Sequence, residues 1–205
     1  MMGGSTNHDS KDIMYLVKKD TVGAEVGVWK ANTSANFVKK GVKELHLVDA
    51  WSVEVYKEGI GETGEWGSYE NYLQRYRKVT GGTTEEHFIA YYDRTYKEVV
   101  KRFSQMEHVH VHRMPSNDWF EKQEDNYFDW IYLDGDHSHQ GVLRDLNSSL
   151  RVVKKGGLIL GDDYAWPFQK HGKPGVTAAV DEFIKATGLK LLQEGAKTQF
   201  SIEVV

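Results

Sequence analysis

Short apolar runs alternate with stripes of apolar residues at helical spacing along this chain. Val22 to Val28 (VGAEVGV) has the length of one buried strand, with Gly27 near its end. Trp29 to Asn32 then read as a loop. Thr33 or Ser34 can cap a helix that runs to Lys40, and Gly41 ends it. Leu45 to Val48 predicts a second strand, which stops at Asp49. Val109 to His112 predicts a third, followed by Pro115 and Ser116 in a loop and by a short helix capped by Ser116 or Asn117. Two further runs end in acids. Trp130 to Leu133 gives way to Asp134, Gly135, Asp136 and His137, and Leu158 to Leu160 gives way to Gly161, Asp162 and Asp163. Val142, Leu146 and Leu150 are spaced four apart between them, so a crossover helix joins what should be parallel neighbours. Val176, Val180, Phe183 and Ile184 mark a last amphipathic helix closed by Gly188. Leu189 to Leu192 and Gln199 to Val205, about Gly195, then predict a terminal antiparallel hairpin.

The segment from about residue 51 to 104 breaks this rhythm. A glycine-rich piece (Gly59, Gly61, Gly64, Gly67) precedes two aromatic stripes at helical spacing. One carries Tyr69, Tyr72 and Tyr76; the other carries Phe88, Tyr92, Tyr96, Val99 and Phe103, with Gly81 and Gly82 between them. The segment is longer than the usual link between strands and is expected to form a cap-like helical insertion, a lid or a subunit contact. Residues 1 to 10 are small and polar and read as a loose terminus.

Composition narrows the class. The 205 residues suit one α/β domain, and 40% hydrophobic with 27% charged residues is ordinary for a globular protein. A net charge of −4 gives no basic footprint for nucleic acid. The absence of cysteine excludes disulfides, thiolate catalysis and zinc–thiolate sites. No apolar leader or membrane-length stretch is visible, so a soluble cytoplasmic protein without a membrane partner is expected. Oligomeric state stays open, a homo-oligomer included.

Ligands of open α/β sheets bind at the carboxyl ends of the strands, where this chain places its acids. Asp134, Asp136, Asp162, Asp163 and His137 would repel one another there unless something cationic relieved them, and a divalent metal is the natural candidate. At the first strand's end, Gly27 permits close approach of a ligand and Glu25 can accept hydrogen bonds from an ammonium or hydroxyl group. The G-x-G-x-x-G spacing is absent, which argues against NAD or FAD. Asp49 follows by about 20 residues, where such folds place an acid on a ribose diol. Trp51 can serve either as an aromatic wall for adenine or as a core residue. His108, His110 and His112 alternate and share one face of a strand; that spacing suits a metal site but more often faces solvent or packing. His139, Tyr164 and His171 are candidate substrate-side residues.

The motifs GAEVGVW, LVDAWS, YLDGDHSHQGV, VVKKGGLILGDDY and PGVTAAVDEF, spread from Val22 to Val205, resemble the class I S-adenosylmethionine-dependent methyltransferases. The last three resemble a small-molecule O-methyltransferase subgroup with DGDHSY- and GDDY-type motifs. The resemblance implies a Rossmann-like three-layer sandwich whose mostly parallel seven-stranded sheet has the order 3-2-1-4-5-7-6, strand 7 antiparallel. It implies S-adenosylmethionine contacts at Glu25 and Gly27 for the methionine part and Asp49 for the ribose. Met114 and Ser116 would lie near the adenine, and Trp29, Thr33, Ala50, Trp51 and Asp134 would complete the pocket. It also implies Mg²⁺, or another divalent cation, on Asp134, Asp162 and Asp163, with His137 as the base and Asp134 beside the reacting groups. Asp136 is left as base partner, metal contact or helix cap. The chain departs from the pattern at Trp29 and Lys30, where many relatives carry small residues before a second glycine. The implied reaction is methyl transfer to a hydroxyl of a small molecule, a sugar being one candidate. Alternatives are a metal-independent methyltransferase, a hydroxylase-like protein and a non-catalytic module that binds an adenosine ligand. Methylation of base amino groups is disfavoured, because LDGDH stands where those enzymes carry Asn/Asp-Pro-Pro-Tyr.

Overall fold

The computed structural model describes residues 13–57, 68–165, 173–192 and 198–205. Seven strands form one sheet in the order β3-β2-β1-β4-β5-β7-β6, as the resemblance implied. They are β1 (Val22–Val26), β2 (Glu44–Asp49), β3 (Val109–Arg113), β4 (Phe128–Leu133), β5 (Val153–Gly161), β6 (Leu191–Leu192) and β7 (Phe200–Glu203). The first five are mutually parallel, and β7 runs antiparallel to both β5 and β6. Strand β1 is buried along its whole length. It is a central strand covered on both faces, which is why its sequence is apolar or glycine everywhere but at Glu25.

Helices cover both faces. α1 (Ser34–Lys39) and α3 (Glu85–Phe103) lie on one side, where Phe37, Val99 and Phe103 pack with Leu45, Leu47, Trp130 and Tyr132. α4 (Ser116–Phe120), α5 (His139–Val152) and α6 (Pro174–Thr187) cover the other, where Trp119, Val142, Leu146, Val180 and Phe183 meet Ala24, Ile131 and Ile159. The aromatic insertion therefore divides in two. The second stripe is the crossover helix α3, whose Val99 and Phe103 belong to the core beneath the sheet. α2 (Tyr69–Thr80) adds an outer layer through a separate cluster of Val53, Tyr72 and Phe88, and the Tyr72 and Tyr92 hydroxyls are hydrogen-bonded. The glycine-rich piece, His171 and the Gly195 turn lie outside the described residues. Among the described residues no helix is long and apolar enough to cross a membrane.

The strand ends differ from the sequence reading by one to a few residues. β1 stops at Val26, because Gly27 turns to φ +92° and opens the loop that follows. β5 begins at Val153, five residues before its apolar run, because it follows α5 directly and passes through Gly156 at φ +77°.

Candidate active site

The carboxyl ends of β1, β2 and β4 are laced together by backbone. Gly27 N–H donates to the Val48 carbonyl at 2.9 Å and Asp134 N–H donates to the Val26 carbonyl at 2.8 Å. A Cβ on residue 27 would lie 2.0 Å from the Asp134 carbonyl oxygen, so both the positive φ and the close approach require glycine. The loop beyond it is wound tightly, with Trp29 at φ +46° and Ala31 at φ +57°. Such conformations are uncommon outside glycine and persist where the surroundings fix them. Here Asp49 does so: its Oδ2 accepts from Val28 N–H (3.0 Å) and Trp29 N–H (2.8 Å), and its Oδ1 accepts from Trp51 N–H (2.7 Å). Trp51 Nε1 donates to the Trp29 carbonyl at 2.9 Å and Arg102 Nη1 to the Ala31 carbonyl at 2.8 Å. Trp29 itself is 46% exposed, its indole N–H donating to the Tyr91 hydroxyl at 2.7 Å. The departure from the usual small-residue loop is thus accommodated by partners drawn from α3.

Three acids underlie this loop with little positive charge to balance them. Glu25 is 1% exposed and accepts a hydrogen bond from the Ser34 hydroxyl. Burial pushes its carboxyl well above the usual range; the Ser34 bond opposes this, and the charges of Asp134 and Asp49 add to it. Burial likewise raises Asp49 against its three backbone N–H donors and the Arg113 guanidinium. Asp134 is pushed up to about 6, chiefly by burial, with His137 opposing and Asp162 and Asp163 adding. Protein surrounds Asp134, yet 34% of its side chain stays open, which leaves a ligand a way in.

The ends of β4 and β5 bring a second group together. His137 Nε2 lies 3.5 Å from Asp134 Oδ1 and 3.4 Å from Asp163 Oδ2. These ligand-type atoms cluster within 4.8 Å of one another. Asp163 reaches the position through a left-handed backbone, φ +64°. Asp162, expected beside it, turns the other way: its Oδ1 accepts from the Thr198 hydroxyl and from Asp163 N–H. Asp136 serves the helix start, its Oδ1 accepting from Ser138 N–H at 2.8 Å, while the Ser138 hydroxyl caps α5 by accepting from Gly141 N–H at 3.1 Å. The capping role is therefore the observed one among the three left open for Asp136.

The remaining expected residues divide. Met114 follows β3 and donates its N–H to the Asp49 carbonyl at 3.0 Å, and Ser116 donates to Asp145 Oδ1 at 2.8 Å. Thr33 sits just before α1 and Ala50 directly after Asp49, both partly buried on the rim. Trp51 is 0% exposed and packs 5.3 Å from the Tyr96 ring, which leaves no free indole face for an adenine. Tyr164 is buried and donates to Asp181 at 2.8 Å, and His139 pairs with Glu182 at 2.9 Å; both tie elements to α6. Asp145 was missed by the sequence reading. It is 3% exposed, held at about 6 mainly by burial, and bonded to Ser116. Its signal was an acid on the same α5 stripe as Val142, Leu146 and Ser149. Arg113, also missed, donates to the Trp51 carbonyl at 2.8 Å and to Asp93 at 2.5 Å, joining the end of β3 to α3.

A tight glycine turn after β1, an acid closing β2 and clustered acids after β4 and β5 of a 3-2-1-4-5-7-6 sheet define a Rossmann-like methyltransferase fold. The family model for a methyltransferase domain matches residues 22–164, and the chain belongs to this family. Uncharacterized protein R132 of Acanthamoeba polyphaga mimivirus is 32% identical over 80 residues, which is 39% of this chain and 33% of R132. The chain thus spans about a third of the length of that curated relative. Among solved structures, the O-methyltransferase NovP is similar at a TM-score of 0.54 and 15% identity, covering 94% of this chain and 75% of NovP. An rRNA methylase from Streptococcus thermophilus gives 0.54 at 12% identity over 100% and 99% of the two chains. SMU.1697c of Streptococcus mutans, solved in complex with SAH, gives 0.54 at 11% identity over 94% and 93%. At these identities the likeness is one of fold.

Proposed function

We propose that the protein transfers the methyl group of S-adenosylmethionine to a hydroxyl of a small molecule, with sugars among the candidate acceptors. The carrying observation is the set of acids at the ends of three adjacent strands, buried Glu25 and the partly buried Asp49 and Asp134, each with its pKa raised. Carboxylates whose ionised form is disfavoured in the folded chain fit a cationic ligand, and S-adenosylmethionine brings an ammonium and a sulfonium. In this reading Glu25 and Gly27 hold the methionine part and Asp49 the ribose. Trp29, Thr33 and Ala50 line the same pocket, and Met114 and Ser116 border the adenine. Bound there, the cofactor supplies an electrophilic methyl group, while the protein aligns an acceptor oxygen with it and excludes water.

His137, 3.5 Å from Asp134 and 3.4 Å from Asp163, is the group that takes the acceptor's proton, an imidazole being the side chain suited to accept one near neutral pH. The oxygen-rich donors Asp134, Asp162 and Asp163 fit Mg²⁺ or another hard divalent cation, which would ease ionisation of a hydroxyl. Only Asp134 and Asp163 stand with His137 in the observed cluster, so these two are the first choice as ligands and Asp162 the third. The metal-independent alternative rests on His137 as well, whose position between the carboxylates does not require a cation. The net charge of −4 favours a small acceptor over a nucleic acid, although two fold neighbours are described as an rRNA methylase and a putative rRNA methylase.

The test is transfer of isotopically labelled methyl to a panel of hydroxylated small molecules, with Mg²⁺ or with EDTA, using wild type, His137→Asn and Asp163→Asn. Turnover that falls at least about 100-fold in His137→Asn supports the proton-acceptor role. EDTA sensitivity shared with Asp163→Asn supports the cation, and EDTA insensitivity selects the metal-independent form. Full activity in both variants would overturn the assignment of the reacting centre.

A further inference from the structure

The alternating histidines of β3 do not stand alone. Glu44 and His46 of β2 project on the same sheet face, and the parallel register pairs His46 with His110 and Val48 with His112. Glu44 Oε1 lies 2.8 Å from His46 Nε2 and 3.5 Å from His110 Nε2. All three atoms fall within 4.8 Å of one another. Donors about 2.0–2.1 Å from a tetrahedral Zn²⁺ are separated by about 3.3 Å, so small side-chain adjustments would close the triangle around an ion.

The outer contacts of such a site are present too. The second Glu44 oxygen, Oε2, accepts from the Tyr127 hydroxyl at 3.0 Å, which orients the carboxylate and leaves Oε1 for a ligand. His46 Nδ1 lies 3.0 Å from His112 Nε2, so His46 can donate its far N–H to His112 while its Nε2 remains a ligand atom. A ligating imidazole anchored through its other nitrogen, and a ligating carboxylate anchored through its other oxygen, are the supports that metal sites use. Access exists as well: the side chains of His46, Glu44 and His110 are 12%, 24% and 43% exposed, opening outward along the edge strand.

We propose that the protein binds one divalent transition-metal ion, with Zn²⁺ the best chemical match, through Glu44 Oε1, His46 Nε2 and His110 Nε2. Two imidazoles and one carboxylate favour Zn²⁺, Co²⁺ or Ni²⁺ over Mg²⁺, which prefers oxygen donors. The site is separate from the strand-end carboxylates. Glu44 begins β2 and Asp49 ends it, five residues on, or about 16 Å along a strand. An ion there would staple the edge strand β3 to its neighbour β2.

The experiment uses tag-free full-length protein stripped with EDTA and titrated calorimetrically with ZnCl₂, with Co²⁺ absorption as a second readout of nitrogen ligation. Wild type, His110→Ala, Glu44→Gln, Tyr127→Phe and Asp163→Asn are compared, and circular dichroism checks that each is folded. The expected result is one Zn²⁺ that is retained in Asp163→Asn. Its affinity falls at least about tenfold in His110→Ala and Glu44→Gln, and about tenfold in Tyr127→Phe. Binding should also raise the thermal midpoint of wild type but not of His110→Ala. No Zn²⁺ uptake by wild type, equal uptake by His110→Ala, or loss of the ion in Asp163→Asn instead would overturn the proposal.

Discussion

In the proposed site, Gly27 would supply shape and Glu25 charge. Replacing Gly27 by alanine would put a methyl group 2.0 Å from a carbonyl oxygen at a φ of +92°. The expected outcome is a loss of about 2 kcal/mol or more of stability in urea denaturation, together with loss of cofactor binding. Glu25→Gln should separate the two properties. The ionised carboxylate is disfavoured in the empty site because its folded pKa is raised, so removing it should leave the thermal midpoint equal or higher at neutral pH. S-adenosylmethionine affinity should fall by about tenfold or more, read by calorimetry. A variant with unchanged affinity would remove Glu25 from the site. Asp134 gives the pH signature. Its carboxyl ionises near 6 in the folded protein against 3.8 ordinarily, so the proton is held more tightly than in the unfolded chain. A bound cation would compete with that proton, and Mg²⁺ affinity should therefore rise as pH passes from about 5 to 7, while stability without the cation falls from about pH 4 to 6. Flat cation affinity across that range would contradict the assignment. Most of these residues were legible as chemistry in the sequence, because an acid or glycine directly after an apolar run is a local signal. The sequence left Trp51 open between adenine wall and core and did not show the hydroxyl that Asp162 accepts from, since such partners lie far along the chain, here Tyr96 and Thr198.

At the scale of elements, α5 leaves the acidic end of β4 two residues after His137 and crosses back to the start of β5, and its cap is Ser138, the residue next to His137. Ser138→Ala removes the hydroxyl that accepts from Gly141 N–H and should cost about 1 kcal/mol in urea denaturation, with a larger relative loss in turnover than in cofactor affinity. The β2–β3 edge carries a different sensitivity. His112 is held down to about 4, by burial first and then by His46 and His110, and burial also lowers His46. Folded pKa values below the unfolded 6.5 mean that neutral imidazoles favour the folded state. Their contribution is present above pH 6.5 and is lost as pH falls from there toward 4. In EDTA, the thermal midpoint should drop across that window, and His112→Asn should flatten the drop. The strands were readable from the sequence because the sheet is covered on both faces, so that β1, β4 and the last part of β5 are mostly apolar runs. The insertion was readable only as two helices. That α3 enters the core while α2 rides outside it depends on which aromatic residues find partners, and both stripes have the same period.

For the molecule as a whole, the parallel strands bring the methyl-transfer candidates to their carboxyl ends: Glu25 and Gly27 from β1, Asp49 from β2, Asp134 and His137 after β4, and Asp162 and Asp163 after β5. Topology explains why residues more than a hundred positions apart come to the ends of neighbouring strands, and periodicity alone does not reveal it. The order became legible only when the motifs were read together as resembling a known family. The His46–His110 pairing was invisible for the same reason, because spacing on β3 says nothing about the side chains that β2 sets beside it. The central claim is that the buried acids form a site for S-adenosylmethionine. Its most direct test is calorimetric titration of that cofactor into wild type and Asp49→Ala, with and without Mg²⁺. The account predicts one molecule bound by wild type under at least one of the two conditions and binding lost in Asp49→Ala. Absence of binding by the folded wild type under both conditions would contradict it.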